Sequence, residues 1–194
     1  MPRAGLTPAI VVAEAARVAD EQGLDRLTLA AVAQQLGVSL PSLYKHVRGL
    51  DGLAQQLATR ALTELTERVT DATVGLSGTA AVRAMASAYR DYARTHPGSY
   101  AATLRAPDPG DPAHVAAAER TVRVVFAVLA AYGLEGDRAI DATRALRSAL
   151  HGFVTLEAAH GFGLPQDLNR SYDLMVDALD RSLRTWPESW PPTG

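Results

Sequence analysis

The chain has 194 residues, 47% hydrophobic and 21% charged, which is typical of a folded globular protein and unlike a disordered one. Cysteine is absent, which excludes disulfides, thiol nucleophiles and thiolate metal sites. The net charge is −2, and only +1 over residues 1–50, so any nucleic acid must be bound by a small local patch and not by bulk electrostatics.

The pattern along the chain is that of an all-α protein, since no segment alternates with the two-residue period of a strand. Thr7 before Pro8 predicts the start of a first helix, which ends at Gly23. Thr28 is the predicted cap of a second helix, closed by Gly37. Apolar residues at spacings of three and four give this second helix one buried face.

A third, short helix is expected to begin after its cap Ser39 and to end near Val47, and a long fourth helix to begin at about Leu50. A helix, a turn containing glycine and a short helix are typical of the helix-turn-helix motif. The residues predicted to point outward from the third helix are Leu40, Pro41, Ser42, Tyr44, Lys45 and His46.

Such a helix can enter the major groove of DNA, with its N-terminal residues on base edges and its flanks on phosphates. Suitable phosphate donors are the hydroxyl of Thr28 or Ser42, the phenol of Tyr44, and the side chains of Lys45 and His46. The alternative is that Tyr44 and His46 cap a packing corner, because helix-turn-helix shapes also occur without DNA.

The second half of the chain predicts longer helices separated by loops rich in glycine and proline. We expect them at about residues 79–95, 113–132, 137–160 and 168–185, with Asp137 as the cap of the third. The segment "HPGSY" is expected to end the first of these helices, and "APDPGDP" is expected to form a loop.

Aromatic and polar residues of these helices are candidates for a ligand pocket. Arg147 and His151 are one turn apart and could face a cavity, or could form ordinary buried hydrogen bonds or lie exposed at the edge of a helix pair. Aromatic residues at helical spacing are more often plain core. The candidate ligand-binding residues are Met85, Tyr89, Tyr92, Tyr100, Arg123, Phe126, Arg147 and His151.

The segment "LTLAAVAQQLGVSLPSLYKHVRGLDGL" resembles the N-terminal domain of the TetR family of transcriptional regulators. The likeness covers about residues 7–57 and includes a threonine-led helix, "GVS", a small helix ending in Tyr-x-His and a long linker helix. The segment "ALHGFVTLE" also resembles the His-Gly motif of one subclass of TetR C-terminal domains.

The resemblance implies DNA contacts for nine residues. Ser39–Ser42 would meet bases or phosphates, and the others would anchor the DNA backbone. Family members usually have a lysine at the start of the fourth helix, where this chain has Leu50, and Arg48 is the expected substitute. The residues expected at the DNA are Thr28, Ser39, Leu40, Pro41, Ser42, Tyr44, Lys45, His46 and Arg48.

We therefore expect an all-α protein of about nine helices with three parts. These are a helix-turn-helix DNA-binding domain at residues 1–50, a ligand-binding and dimerisation domain at 51–186, and a flexible tail at 187–194. The two C-terminal helices hold more apolar surface than one bundle face needs, and the resemblance implies that they pair with their mates as the four-helix bundle of a homodimer.

The expected function is that of a TetR-like regulator, a repressor released from a palindromic operator on double-stranded DNA by a small-molecule effector. The alternative is an all-helical small-molecule-binding or interaction protein without operator binding. An enzyme, a cofactor and a metal site are not expected, since the histidines fall in no nucleophile motif and His151 and His160 share no helical face. No apolar run approaches the ~20 residues of a membrane span, so we expect a cytoplasmic protein that does not bind membranes.

Overall fold

The computed structural model describes residues 5–188, and in this part of the chain nine α-helices are joined by turns and loops without a β-strand. The predicted all-α fold of about nine helices is confirmed. The predicted tail at 187–194 lies, from residue 189 on, outside the described residues. The helices are α1 (Pro8–Gln22), α2 (Leu29–Leu36), α3 (Leu40–Leu43), α4 (Gly49–Thr73), α5 (Gly78–Thr95), α6 (Pro97–Ala102), α7 (Pro112–Ala130), α8 (Gly136–Ala158) and α9 (Leu168–Arg184).

The first two helices begin where the sequence predicts. The Thr7 hydroxyl accepts a hydrogen bond from the Ile10 N–H at 3.3 Å, and the Thr28 hydroxyl accepts one from the Ala31 N–H at 3.1 Å. Each threonine therefore satisfies a backbone donor that has no partner inside its helix.

α3 is shorter than predicted, because it ends at Leu43 and not near Val47. The N–H groups of His46 and Val47 both donate to the Leu43 carbonyl, at 2.8 and 3.0 Å, so the chain continues as tight turns. Gly49 then adopts φ 73°, a left-handed conformation that glycine enters at little cost, and α4 begins there.

The segment "HPGSY" ends α5 as predicted, since that helix stops at Thr95, and an additional helix, α6, begins at Pro97. Proline suits the first helical position, where its missing N–H is not needed. Asp137 is not the cap of α8: the helix begins one residue earlier, at Gly136, with Glu135 at the cap position. Asp137 instead lies in the first turn, where the helix dipole favours a negative charge.

The described residues form two compact units. The first comprises the chain through Leu65 together with Tyr92–Glu119, and the second comprises Thr66–Asp91 and the chain from Arg120 on. The predicted functional boundaries at residues 50 and 186 stay predictions. The fully buried apolar side chains of the first unit include Val11, Val18, Val32, Leu43, Leu53 and Leu57.

In the second unit, a partly buried ion pair joins α5 to α8. Arg90 donates two hydrogen bonds to the Glu157 carboxylate, at 2.9 and 2.6 Å, and these bonds raise the pKa of Arg90 above its ordinary value. The Arg90 guanidinium also lies over the rings of Phe153 and Tyr172, at 5.4 and 4.6 Å from their centroids. Both charged groups thus have partners where burial would otherwise be costly.

A second polar cluster in the same unit surrounds Asp180 of α9. Its carboxylate accepts hydrogen bonds from Thr79 at 3.1 Å, from Arg184 at 3.2 Å and from the Tyr132 hydroxyl. Burial by itself would raise the pKa of Asp180, but these hydrogen bonds outweigh it and the pKa lies below its usual value. The cluster therefore ties α9 to α5 and to the segment that follows α7.

Candidate DNA-binding site

The turn between α2 and α3 is built around Gly37. Gly37 adopts φ 64° and ψ 33°, and its N–H donates back to the Gln34 carbonyl at 3.1 Å. The Val38 N–H donates to the Ala33 carbonyl at 3.0 Å, which is the pattern of a glycine C-cap. Leu43 is completely buried and anchors α3 against this core. The sequence thus forms a helix-turn-helix with a fixed turn.

We call Ser39–Arg48, which contains α3 and the turns after it, the recognition segment. Two of its side chains, Leu43 and Val47, point into the core. Tyr44 points outward, with 59% of its surface exposed. The half-buried members are Ser42 and His46, and the exposed members are Ser39, Leu40, Pro41, Tyr44, Lys45 and Arg48.

The polar groups at the end of the recognition segment are available to a partner. Within residues 5–188, the side chains of Tyr44, Lys45, His46 and Arg48 form no hydrogen bond and no ion pair. A phenol, an ammonium, an imidazole and a guanidinium side by side are suitable donors for successive phosphate oxygens. These four predicted site residues therefore lie on one continuous stretch of surface.

The hydroxyl groups of the motif are partly engaged. Ser39 Oγ lies 2.8 Å from Ser42 Oγ, so one hydroxyl donates to the other and one proton is left for an outside acceptor. Ser39 occupies the predicted cap position, but its side chain makes no capping hydrogen bond. Thr28 is exposed, and its hydroxyl accepts the Ala31 N–H while its own proton stays available.

A groove of about 870 Å³ opens beside the recognition segment. One wall is the end of this segment, a second is the first two turns of α4, and a third is the loop that precedes α7. The lining residues are Tyr44, Lys45, His46, Val47, Arg48, Gly49, Gly52, Gln55, Gln56, Gly110 and Asp111.

At the start of α4, Leu50 is 43% exposed and offers no charge to a phosphate. Arg48, two residues before it, is exposed and is the nearest cation along the chain. Asp51, the next residue, is paired with Arg105 across a distance of 2.7 Å.

The predicted ligand-binding residues divide between the two compact units. Tyr92 and Tyr100 belong to the first unit and are buried, and the Tyr92 hydroxyl donates to Glu64 at 3.5 Å. In the second unit Met85 is buried, whereas Tyr89, Phe126 and His151 are half-buried, and Arg123 and Arg147 are exposed.

One histidine of the first unit was not among the predicted site residues. His114, on the first turn of α7, has no exposed surface, and neither ring nitrogen has a hydrogen-bond partner among the described residues. An imidazole always carries at least one N–H donor, and leaving it unpaired in the interior costs about 1–3 kcal/mol. Nothing in the local sequence marks this position, because its significance lies in the burial.

Residues 5–188 contain neither a metal-binding cluster nor a membrane-spanning helix. No group of three or more histidine, aspartate or glutamate side chains there could hold a metal ion. None of the helices present is long and apolar enough to cross a membrane.

The chain was compared with known families, sequences and structures. The family model of bacterial regulatory proteins of the tetR family matches residues 11–57, and that of the tetracyclin repressor-like C-terminal domain matches residues 82–179. The uncharacterized HTH-type transcriptional regulator YobS of Bacillus subtilis is 36% identical over 186 residues, which are 95% of this chain and 93% of the relative.

Solved structures share the fold. A Rhodococcus sp. RHA1 protein of unknown function superposes with a TM-score of 0.76 at 25% identity, over 94% of this chain and 98% of that one. ActR of Streptomyces coelicolor, in complex with (S)-DNPA, gives a TM-score of 0.63 at 21% identity over the same shares. With both family models matched and a full-length relative above 30% identity, the chain belongs to the TetR family of bacterial transcriptional regulators and carries its DNA-binding domain.

Proposed function

We propose that this regulator is a repressor that binds a palindromic operator as a homodimer and is released by a small organic molecule. The observation that carries the proposal is the recognition segment: a phenol and three basic side chains, unpaired within residues 5–188, on a helix-turn-helix whose turn is fixed by Gly37. The flanks of such a segment suit phosphates, and the start of α3 suits base edges.

The proposed dimer interface consists of the outer faces of α8 and α9. Ile140 and Leu156 of α8 and Leu174 of α9 are 39%, 49% and 57% exposed in the single chain, which is costly for large apolar side chains unless a partner covers them. A two-fold axis through these helices would present two recognition segments to two half-sites, as a palindromic operator requires.

An organic effector, not a metal, is the proposed signal. The complex of ActR with (S)-DNPA supports this class of ligand, since that protein shares the fold of this chain. We propose that Tyr89 and Phe126, two aromatic candidates of the second compact unit, supply apolar contacts and that His151 of the same unit supplies a polar one. A mostly apolar pocket with a few placed polar groups is the common form of such sites.

The proposed coupling acts through α4, the continuous helix that connects the recognition segment to the rest of the chain. Leu53 and Leu57, at its beginning, are fully buried in the same core as α1 and α3. We call α1 to α3 together with the beginning of α4 the head of each subunit, and it should therefore move as one rigid piece when α4 tilts. An effector that binds the tilted state better would shift the dimer away from the spacing that fits DNA.

The experiment has two parts. Purified protein should retard DNA from the region upstream of its own gene in a gel-shift assay, with affinity that falls steeply as salt rises. A library of organic compounds should then contain at least one that both raises the melting temperature and releases the DNA. A helical binding protein without operator recognition would be stabilised by a compound but would not retard the DNA. A divalent metal that produced the same release would contradict the proposed effector class.

A further inference from the structure

A salt bridge links the start of α4 to the loop between α6 and α7. The Arg105 guanidinium lies 2.7 Å from Asp51 Oδ1, and both residues belong to the first compact unit. The same loop supplies Gly110 and Asp111 to the groove that the end of the recognition segment lines. Two independent observations thus place this loop, which lies some 60 residues beyond the helix-turn-helix, beside the proposed DNA-facing surface.

The charge of Asp51 is unfavourable for a phosphate-binding surface. Its side chain is 77% exposed, it follows Leu50 directly, and it is three residues from Arg48. An unpaired carboxylate here would oppose the attraction of Arg48 for a phosphate, because the two residues are only three positions apart and charges interact over ~10 Å at 0.1 M salt. Among the described residues, Arg105 is the base that forms a salt bridge with this carboxylate.

We propose that Arg105 is a positioning residue for DNA binding: it neutralises Asp51 and so allows a DNA phosphate to approach the start of α4. The inference rests on the proposed role of the recognition segment and extends the DNA-binding machinery to a residue outside the helix-turn-helix. Arg105 thereby compensates for Leu50, which contributes no positive charge at the same turn.

The expected loss of DNA affinity on removing the Arg105 charge is modest for one subunit and larger for a dimer. Arg105 is 41% exposed, so solvent and salt screen the pair. We expect removal of the Arg105 charge to weaken DNA binding roughly threefold per subunit, and therefore about tenfold for a dimer bound through both heads.

The test is a double-mutant cycle with Arg105→Gln, Asp51→Asn and the combination of both. The probe is a fluorescent duplex that carries the sequence enriched from random DNA by the wild-type protein, and dissociation constants are measured by anisotropy at several salt concentrations. The matched control is Arg120→Gln, because exposed Arg120 pairs with Glu67 of α4, sixteen residues beyond Asp51 and about 24 Å along the helix.

We expect Arg105→Gln to bind about tenfold more weakly, Asp51→Asn to bind at least as well as the wild type, and the double variant to regain wild-type affinity. Arg120→Gln should be unchanged, and circular dichroism should show all variants folded. If Arg105→Gln binds like the wild type, the inference fails while the proposed function stands. A double variant as weak as Arg105→Gln also overturns it, because Arg105 would then contact phosphate itself. If the wild type binds no DNA, the proposed function fails and the inference fails with it.

Discussion

Asp20 of α1 caps the first turn of α6. Its carboxylate accepts hydrogen bonds from the Ser99 N–H at 2.7 Å and from the Ser99 hydroxyl at 3.2 Å, and it lies 3.0 Å from His96 Nδ1. A carboxylate at a helix N-terminus satisfies free N–H groups and complements the helix dipole. α6 is therefore held to the helix-turn-helix unit by a residue about 80 positions away in the chain.

Because these two helices approach closely at Gly98, any larger residue there should destabilise the protein. A Cβ atom at Gly98 would lie 2.1 Å from the carbonyl carbon and oxygen of Ala19, which no side-chain rotation can relieve. We expect Gly98→Ala to lower the free energy of unfolding by about 1–3 kcal/mol, measured by urea denaturation. The control is Gly152→Ala in α8, where nothing lies within 4 Å of the new methyl group and helix propensity should add up to about 1 kcal/mol of stability. Equal stability of the two variants would contradict the packing described.

Tyr44 and Lys45 should contribute to DNA affinity without selecting its sequence. We expect Tyr44→Phe and Lys45→Ala to weaken binding by similar factors on operator and on unrelated DNA, since both side chains are proposed to contact phosphates. Lys45→Ala should also reduce the slope of log affinity against log salt by about 0.9 per subunit. Binding measured on both DNAs across a salt series checks this. A change of base preference in either variant would show that the residue reads bases.

The buried imidazole of His114 should lower the stability of the fold. In effector-free protein, His114→Leu should raise the free energy of unfolding by about 1 kcal/mol, because it removes a buried imidazole that lacks a partner among the described residues. Thr66→Val is the control: Thr66 is equally buried but its hydroxyl lies 2.7 Å from that of Thr121, so its loss should cost about 1 kcal/mol. A clear loss of stability in His114→Leu would mean that the imidazole is already satisfied, for instance by a buried water.

The proposed release mechanism predicts a change of distance between the two heads. The chain has no cysteine, so Lys45→Cys creates a unique site for a spin label in each subunit. Half-sites one helical turn apart are separated by about 34–36 Å, and the DNA-binding form of the dimer must match this spacing. A compound that releases DNA should therefore change the distance between the two labels. The circular dichroism of the protein should stay the same, because the head moves as a rigid piece. Constant distances while the affinity falls would point instead to a change in rigidity.

The sequence predicts the helix-turn-helix well because its signals are local. Thr28 begins α2 with a side-chain cap, and Gly37 ends it with a left-handed turn. Both signals act within a few residues. The sequence predicts too long an α3 because the apolar spacing continues through Val47, although the backbone leaves the helix at Leu43.

The features that the sequence does not reveal depend on contacts between distant residues. The proline and glycine of "HPGSY" predict a break in the helix, yet α6 forms there because Gly98 allows contact with Ala19 and because Asp20 caps it. His114 carries no signal in the sequence, since only burial without a partner distinguishes it. The pairing of Asp51 with Arg105 likewise follows from the fold, because 54 residues separate them.

The most direct test of the central claim is selection of binding sites from random DNA by the purified protein. The account predicts enrichment of one palindromic sequence whose half-sites lie about one helical turn apart, with footprints over both halves that require a higher protein concentration in a variant that combines Tyr44→Phe with Lys45→Ala. Failure to enrich any sequence, or footprints at an unchanged protein concentration in this double variant, would contradict the claim that the recognition segment binds an operator.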